Sequence, residues 1–246
     1  MSKFEREYVD ILVRLQEAHI LHEGSSVIAD NTDMGSPMVH SYLRTVRGQP
    51  WVRYHLNNFL TGPLEVFRLS KVYFQQLALH SARPEDAGIF HYTYDHNAEY
   101  GLLDYLRRKN CSETEAHLKR VLENTDKYAW GENWLTPMGD QKGPILDTLI
   151  MQKVAEYEHE SEQGQRKDAL FVVVELGTYI GYSTSRMASL MPRNSTLYTM
   201  ELTKERQNAA KQLVAMAQPL PANVEFIFGK ATVFIDHSKM NTTHPF

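Results

Sequence analysis

The stretch Leu170-Phe171-Val172-Val173-Val174-Glu175-Leu176-Gly177-Thr178-Tyr179-Ile180-Gly181-Tyr182-Ser183 decides how this 246-residue chain is read. Leu170 to Val174 is short, apolar and rich in β-branched side chains, the composition of a buried strand. Glu175 ends that apolar run, and two glycines then lead into Thr184 to Leu190, which reads as a helix. In an open parallel sheet such a turn lies at the carboxyl edge, where small ligands bind, and Gly177 removes the side chain that would block backbone approach. A dinucleotide turn would carry a tighter set of three glycines, and a phosphate-gripping loop would end in Gly-Lys-Ser/Thr. Neither is present, so the expected ligand lacks a pyrophosphate.

The same grammar continues downstream. Residues 196–200 (Thr-Leu-Tyr-Thr-Met) and 224–228 (Val-Glu-Phe-Ile-Phe) are two further short strands, with Lys204 to Met216 as a helix between them. Strand, helix, strand, helix, strand predicts an α/β fold on a parallel sheet, of which the first three strands are present. Glu201 closes the second strand 24 residues after Gly177. That is near the ~20-residue interval at which an acid meets a ribose held by the first turn. Its carboxylate has the capacity to accept from both ribose hydroxyls. A glycine turn followed by an acid is also an ordinary strand end, and spacing alone leaves both readings open.

Upstream, the apolar spacing changes to that of helices. Residues 4–23 place Phe4, Tyr8, Ile11, Leu12, Leu15, Ile20 and Leu21 mostly three or four apart, residues 24–37 read as a loop, and residues 38–82 again carry helical spacing. Pro84 and Gly88 mark a linker over residues 81–88. Two helical stretches follow between Asn97 and Asn124, the second opened by the capping-box spacing Ser112-Glu113-Thr114-Glu115. The expected organisation is a helical N-terminal region of unknown role over residues 1–96, then the α/β domain over residues 97–246. His19 and His22, one helical turn apart, and the cluster His91, Asp95 and His96 lack the ligand number of a metal site and stay unassigned.

Composition excludes several classes. With 13 Gly, 10 Pro, 13 Tyr, 10 Phe and 3 Trp the chain is neither collagen-like nor a solvated polymer. Lys plus Arg number 26 against 30 Asp plus Glu, and a net charge of −4 offers no positive field for nucleic acid. Cys111 is the single cysteine, which excludes an intramolecular disulfide framework and fits a reducing compartment, with the cytoplasm as the expected location. No apolar segment approaches the ~20 residues that span a bilayer, and the alternating charges of Met1 to Tyr8 do not resemble a signal peptide.

Glu175-Leu176-Gly177-x-Tyr179-x-Gly181-Tyr182-Ser183, followed by Arg186-Met187-Ala188 and by Tyr198-Thr199-Met200-Glu201, closely resembles the catechol O-methyltransferase family. Upstream, Trp134-Leu135-Thr136-Pro137-Met138-Gly139-Asp140-Gln141-Lys142-Gly143 is similar to the segment before the first strand in those enzymes. The resemblance covers about residues 97–246 and implies a Rossmann-like methyltransferase sheet. It implies that Glu175, Gly177, Tyr179 and Ser183 surround the methionine part of S-adenosylmethionine, that Glu201 takes the ribose hydroxyls and that Met138 contacts the cofactor. It further implies that Trp134 walls a catechol pocket, and that Gly229 to Thr232, with Ala231 among them, lies at the adenine, although Lys230 and Thr232 depart from the family's usual residues. Other roles fit the same residue types: Trp134 as a core cap, Met138 and Tyr179 as packing, Ser183 as a helix-cap hydroxyl, and Lys142 as a solvated turn residue.

The family's reaction is in-line attack of a catechol oxygen on the sulfonium methyl, with Mg²⁺ chelating both hydroxyls and a lysine helping deprotonation. Its metal ligands follow the fourth and fifth strands, and this sequence reaches Phe246 without matching them, so metal ligands and catalytic residues are left unassigned. Val233-Phe234-Ile235-Asp236-His237-Ser238-Lys239 resembles the fourth-strand motif. Only Lys230 to Thr232 separate it from the third strand, however, and a parallel crossover needs a dozen or more residues. Three strands also leave an unpaired edge, which favours self-association. The function expected is S-adenosylmethionine-dependent O-methylation of a catechol-type hydroxyl. The alternatives are a cofactor-binding protein without catalysis, whose N-terminal region mediates association, and a nicotinamide-dependent oxidoreductase, disfavoured by the missing pyrophosphate turn.

Overall fold

The computed structural model describes residues 97–110, 117–131, 138–164 and 170–230, together with 25–30, 54–56, 64–68 and Ile11, Arg14, Leu15, Ala18, Ile20 and Leu21. Two compact units divide the chain, one holding the N-terminal strands and the other spanning Tyr94–Lys230.

In the first unit, Ile11, Arg14 and Leu15 are helical, as the 4–23 periodicity predicts. Two expectations are corrected: a strand lies within residues 24–37, read as a loop, and strands rather than helix are described within residues 38–82. Three strands, β1 (Ser26–Asp30), β2 (Tyr54–Leu56) and β3 (Leu64–Arg68), form an antiparallel sheet in the order β1-β3-β2. The register pairs Ser26 with Arg68 and Asp30 with Leu64 on one side of β3, and Tyr54 with Val66 on the other. Runs of three to five residues are too short for periodicity to separate strand from helix. Pairing across a sheet supplies what local spacing lacks.

The second unit opens with three helices, α1 (Asn97–Arg108), α2 (His117–Gly131) and α3 (Gly139–Glu162). There follow β4 (Val172–Leu176), α4 (Tyr182–Leu190), β5 (Thr196–Glu201), α5 (Lys204–Met216) and β6 (Asn223–Phe228). The strands pair in parallel in the order β4-β5-β6, with Val172 opposite Thr196 and Thr196 opposite Asn223. This is the Rossmann-like α/β half-sheet expected. The first strand starts two residues later than its apolar run, because Leu170 is exposed and pairing with β5 begins at Val172. β5 is the middle strand, and Leu197, Thr199, Met200 and Glu201 are all buried there.

α5 buries Gln207, Ala209, Ala210, Leu213 and Val214, a stripe at helical spacing. Leu102, Leu103 and Leu106 of α1 and Val121 of α2 join Ile180, Tyr182, Leu213 and Ala217 in one apolar core. Each such large side chain contributes roughly 1.5–3 kcal/mol when taken from water. The core sits beside the β4–α4 turn, so the turn is backed by packed side chains.

α3 overturns the reading of Gly-Asp-Gln-Lys-Gly as a solvated turn: the segment opens a helix, and Lys142 is buried. Gly143 accounts for the glycine there. A Cβ on it would lie 2.6 Å from the Arg186 guanidinium carbon, so the missing side chain lets α3 lie against α4.

Candidate cofactor site

Glu175, near the end of β4, has a carboxylate enclosed by hydroxyls. Ser183 Oγ donates to Oε1 at 2.5 Å, while Thr184 Oγ1 at 2.5 Å and Thr199 Oγ1 at 2.6 Å donate to Oε2. The single Thr199 proton is thereby committed, so the 2.5 Å contact between Thr178 Oγ1 and Thr199 Oγ1 is donated by Thr178. Burial pushes the Glu175 carboxyl above its ordinary value, the hydroxyl bonds pull it back without cancelling that rise, and the charge on Glu201 adds to the rise.

Glu201 closes β5, is 6% exposed, and ties three segments together. Its Oε2 accepts the Tyr179 backbone N–H at 2.9 Å, its Oε1 accepts the Thr203 N–H at 3.0 Å, and its carbonyl accepts the Gly229 N–H at 3.0 Å. Each carboxylate oxygen keeps a lone pair beyond the one used. Two neighbouring hydroxyl donors match that remaining capacity.

Between these acids the backbone turns through the left-handed region at Gly177 (φ +94°), Tyr179 (φ +50°) and Gly181 (φ +80°). Gly177 and Thr178 both donate their N–H to the Met200 carbonyl, at 2.9 and 3.0 Å, and Gly181 donates to the Thr178 carbonyl. Among the described residues, a Cβ on Gly177 or on Gly229 would meet nothing within 4 Å. No described side chain or backbone therefore crowds the backbone at the carboxyl ends of β4 and β6. At Gly181 the reverse holds: its Cβ would lie 3.1 Å from the Ala210 carbonyl oxygen and from Val214 Cγ2. The first glycine leaves room for a ligand, the second for α5.

The structure brings Glu175, Gly177, Tyr179, Ser183 and Glu201 to one sheet edge. The Ser183 hydroxyl bonds Glu175, and α4 is preceded by Gly181 with no side-chain cap, so the helix-cap alternative for Ser183 is not what forms. Met138 immediately precedes α3 and packs on the apolar core. Trp134, Ala231, the segment Val233 to Lys239, His19, His22 and the cluster of His91, Asp95 and His96 lie outside the described residues. Spacing did not reveal Thr178, Thr184 or Thr199. One signal was available: Thr199, two residues before Glu201, shares its face of β5.

Behind the site, a polar network joins three helices. Arg186 of α4 donates Nε to Asp147 Oδ1 of α3 at 3.0 Å and Nη2 to Asp147 Oδ2, and its Nη1 donates to the Tyr182 hydroxyl at 3.1 Å. Tyr182 in turn donates to Asp126 Oδ2 of α2 at 2.9 Å. Burial raises Asp126 from its ordinary 3.8 to about 6, against the lowering effect of the Tyr182 bond. Burial, followed by the charge on Asp126, pushes the Tyr182 phenol up. Burial acts to lower the Arg186 value, but the bonds to Asp147 and the charges around it leave the guanidinium above its usual value.

The family model for "O-methyltransferase" matches residues 168–246, the segment that holds both acids and both turn glycines. Over those residues the chain is similar to that family. The resemblance to catechol O-methyltransferases is shown by curated relatives. "Catechol O-methyltransferase B" of Danio rerio is 31% identical over 126 residues, covering 51% of this chain and 42% of that protein. "Catechol O-methyltransferase" of Mus musculus is 33% identical over 119 residues, covering 48% of this chain and 39% of that protein. The chain thus spans about two fifths of the length of these relatives. Among solved structures, the O-methyltransferase from Bacillus cereus in complex with SAH is similar over 59% of this chain and 58% of its own, at 16% identity and a TM-score of 0.38.

Among the described residues, no three His, Cys, Asp or Glu side chains come together in a way that could hold a metal ion. No helix among them is long and apolar enough to cross a membrane.

Proposed function

We propose that this chain binds S-adenosylmethionine at the carboxyl edge of β4 and β5 and methylates a hydroxyl of a catechol-type substrate. The observation that carries this reading is the pair of acids at the ends of adjacent strands, Glu175 and Glu201, on either side of a glycine turn left uncrowded at Gly177 by the described residues. The donor set suits that cofactor. Glu201 keeps acceptor capacity for two ribose hydroxyls, and the carboxylate-rich edge favours a cationic ligand over an anionic one. When bound, S-adenosylmethionine supplies a methyl group activated by the sulfonium charge.

The chain's own residues act by positioning. The hydroxyls of Ser183, Thr184 and Thr199 hold the Glu175 carboxylate in one orientation, and Glu201 fixes the turn through the Tyr179 amide. Such preorganisation places the ligand without reordering the protein at the moment of reaction. The divalent cation that the family resemblance implies finds no ligand set among the described residues, and no step is assigned to it.

Isothermal titration with S-adenosylmethionine, followed by methyl transfer from labelled cofactor to a catechol in the presence of Mg²⁺, tests the proposal. Binding together with transfer supports it in full. Binding without transfer leaves a cofactor-binding protein, and failure to bind overturns the reading.

A further inference from the structure

Tyr179 is an aromatic residue held at φ +50°, in a region that side chains with a Cβ avoid. Such a conformation persists only when the surroundings determine it from several sides. One hold comes from Glu201, which accepts the Tyr179 N–H. Another comes from α5, where the Arg206 guanidinium carbon lies 5.1 Å from the centroid of the Tyr179 ring. Arg206 is itself anchored: its Nε donates to Glu99 Oε1 at 3.3 Å, and Glu99, on the first turn of α1, is 1% exposed. The second Glu99 oxygen is buried and has no hydrogen-bond partner among the described residues, an arrangement that costs stability.

From this chain of contacts we infer that Glu99 and Arg206 are positioning residues for the cofactor turn. Glu99 orients the guanidinium, the guanidinium fixes the Tyr179 ring, and the ring fixes the backbone amide that Glu201 accepts. Through Glu99, 80 residues before Tyr179 in sequence, α1 thereby controls the geometry of the turn. A planar guanidinium suits this role because it stacks on a ring face while its edge meets a carboxylate. The inference deepens the proposed function and rests on it where cofactor affinity is concerned.

The test is a double-mutant cycle on the full chain, Arg206→Gln and Tyr179→Leu singly and together, read by titration with S-adenosylmethionine. Arg206→Gln should weaken binding about three- to tenfold in the parent and less than twofold in the Tyr179→Leu background. Equal losses in both backgrounds, or no loss in the parent, would overturn the inference while leaving the function intact. A second readout needs no cofactor. Amide exchange at Tyr179 should speed about tenfold in Arg206→Gln while that of Leu197 in β5 stays unchanged. Parallel change at both amides, or none at Tyr179, also overturns it. If the parent binds no cofactor but this exchange pattern holds, the functional reading fails and the positioning role stands.

Discussion

At the end of β5, one side chain serves both the turn before it and the loop after it. Replacing Glu201 with Ala removes the acceptor for the Tyr179 and Thr203 amides, and with it the proposed ribose acceptor. Cofactor affinity should fall by about 1–3 kcal/mol, the usual loss for a charged hydrogen-bonding partner, measured by titration calorimetry. The two turn glycines should behave differently from one another. Gly181→Ala combines a positive φ with a Cβ 3.1 Å from two atoms of α5, and should cost about 1–3 kcal/mol in urea unfolding. Gly177→Ala meets no atom of the described residues within 4 Å, so its stability loss should be the smaller, while the added methyl intrudes on the proposed ligand space and lowers cofactor affinity. Glu175, Gly177 and Glu201 were legible because strand-end acids and turn glycines leave a mark in local sequence. For Thr199 only its place on the Glu201 face of β5 was legible; its bond to Glu175 was not, because that partner lies on the neighbouring strand and only sheet pairing joins them.

Among the elements, α2, α3 and α4 are fastened by Asp126, Tyr182, Arg186 and Asp147. Asp126 titrates at about 6 in the folded chain against 3.8 when free, so the folded form holds the proton more tightly than the unfolded chain does. Between those two values stability contributed at this site therefore falls as pH rises, and the loss is complete above the folded value. Asp126→Asn keeps an acceptor for Tyr182 but does not titrate. Urea unfolding at pH 4.5 and pH 7 should show a smaller fall across that interval in the variant than in the parent. α3 also shows where sequence reading fails. Gly139, Gly143 and Pro144 all signal a turn locally, yet they open α3, and Gly143 lies against the Arg186 guanidinium, so tertiary packing outweighs helix propensity. α5 was read to its exact bounds, Lys204–Met216, because nothing in its sequence competes with its buried stripe.

Over the whole molecule, the parallel sheet was legible because three short apolar runs alternate with helical segments, a pattern few folds produce. The antiparallel sheet of β1, β2 and β3 was not, since its strands are too short to show a period and β1 finds its partner β3 only far along the chain, where Asp30 meets Leu64. If S-adenosylmethionine binds the folded chain alone, thermal unfolding should shift upward with its concentration, by an amount equivalent to about 2.7 kcal/mol at one hundred times the dissociation constant. A flat response in differential scanning calorimetry would contradict that linkage. The hydrogen bonds of the glycine turn carry one more consequence. The amides of Gly177, Thr178, Tyr179 and Gly181 are all donated inward, to Met200, Glu201 and Thr178. Few donors are left to form the concave nest that grips oxyanions elsewhere, so ATP and similar polyanions should be poor competitors at this edge, repelled by its acids and offered little in exchange.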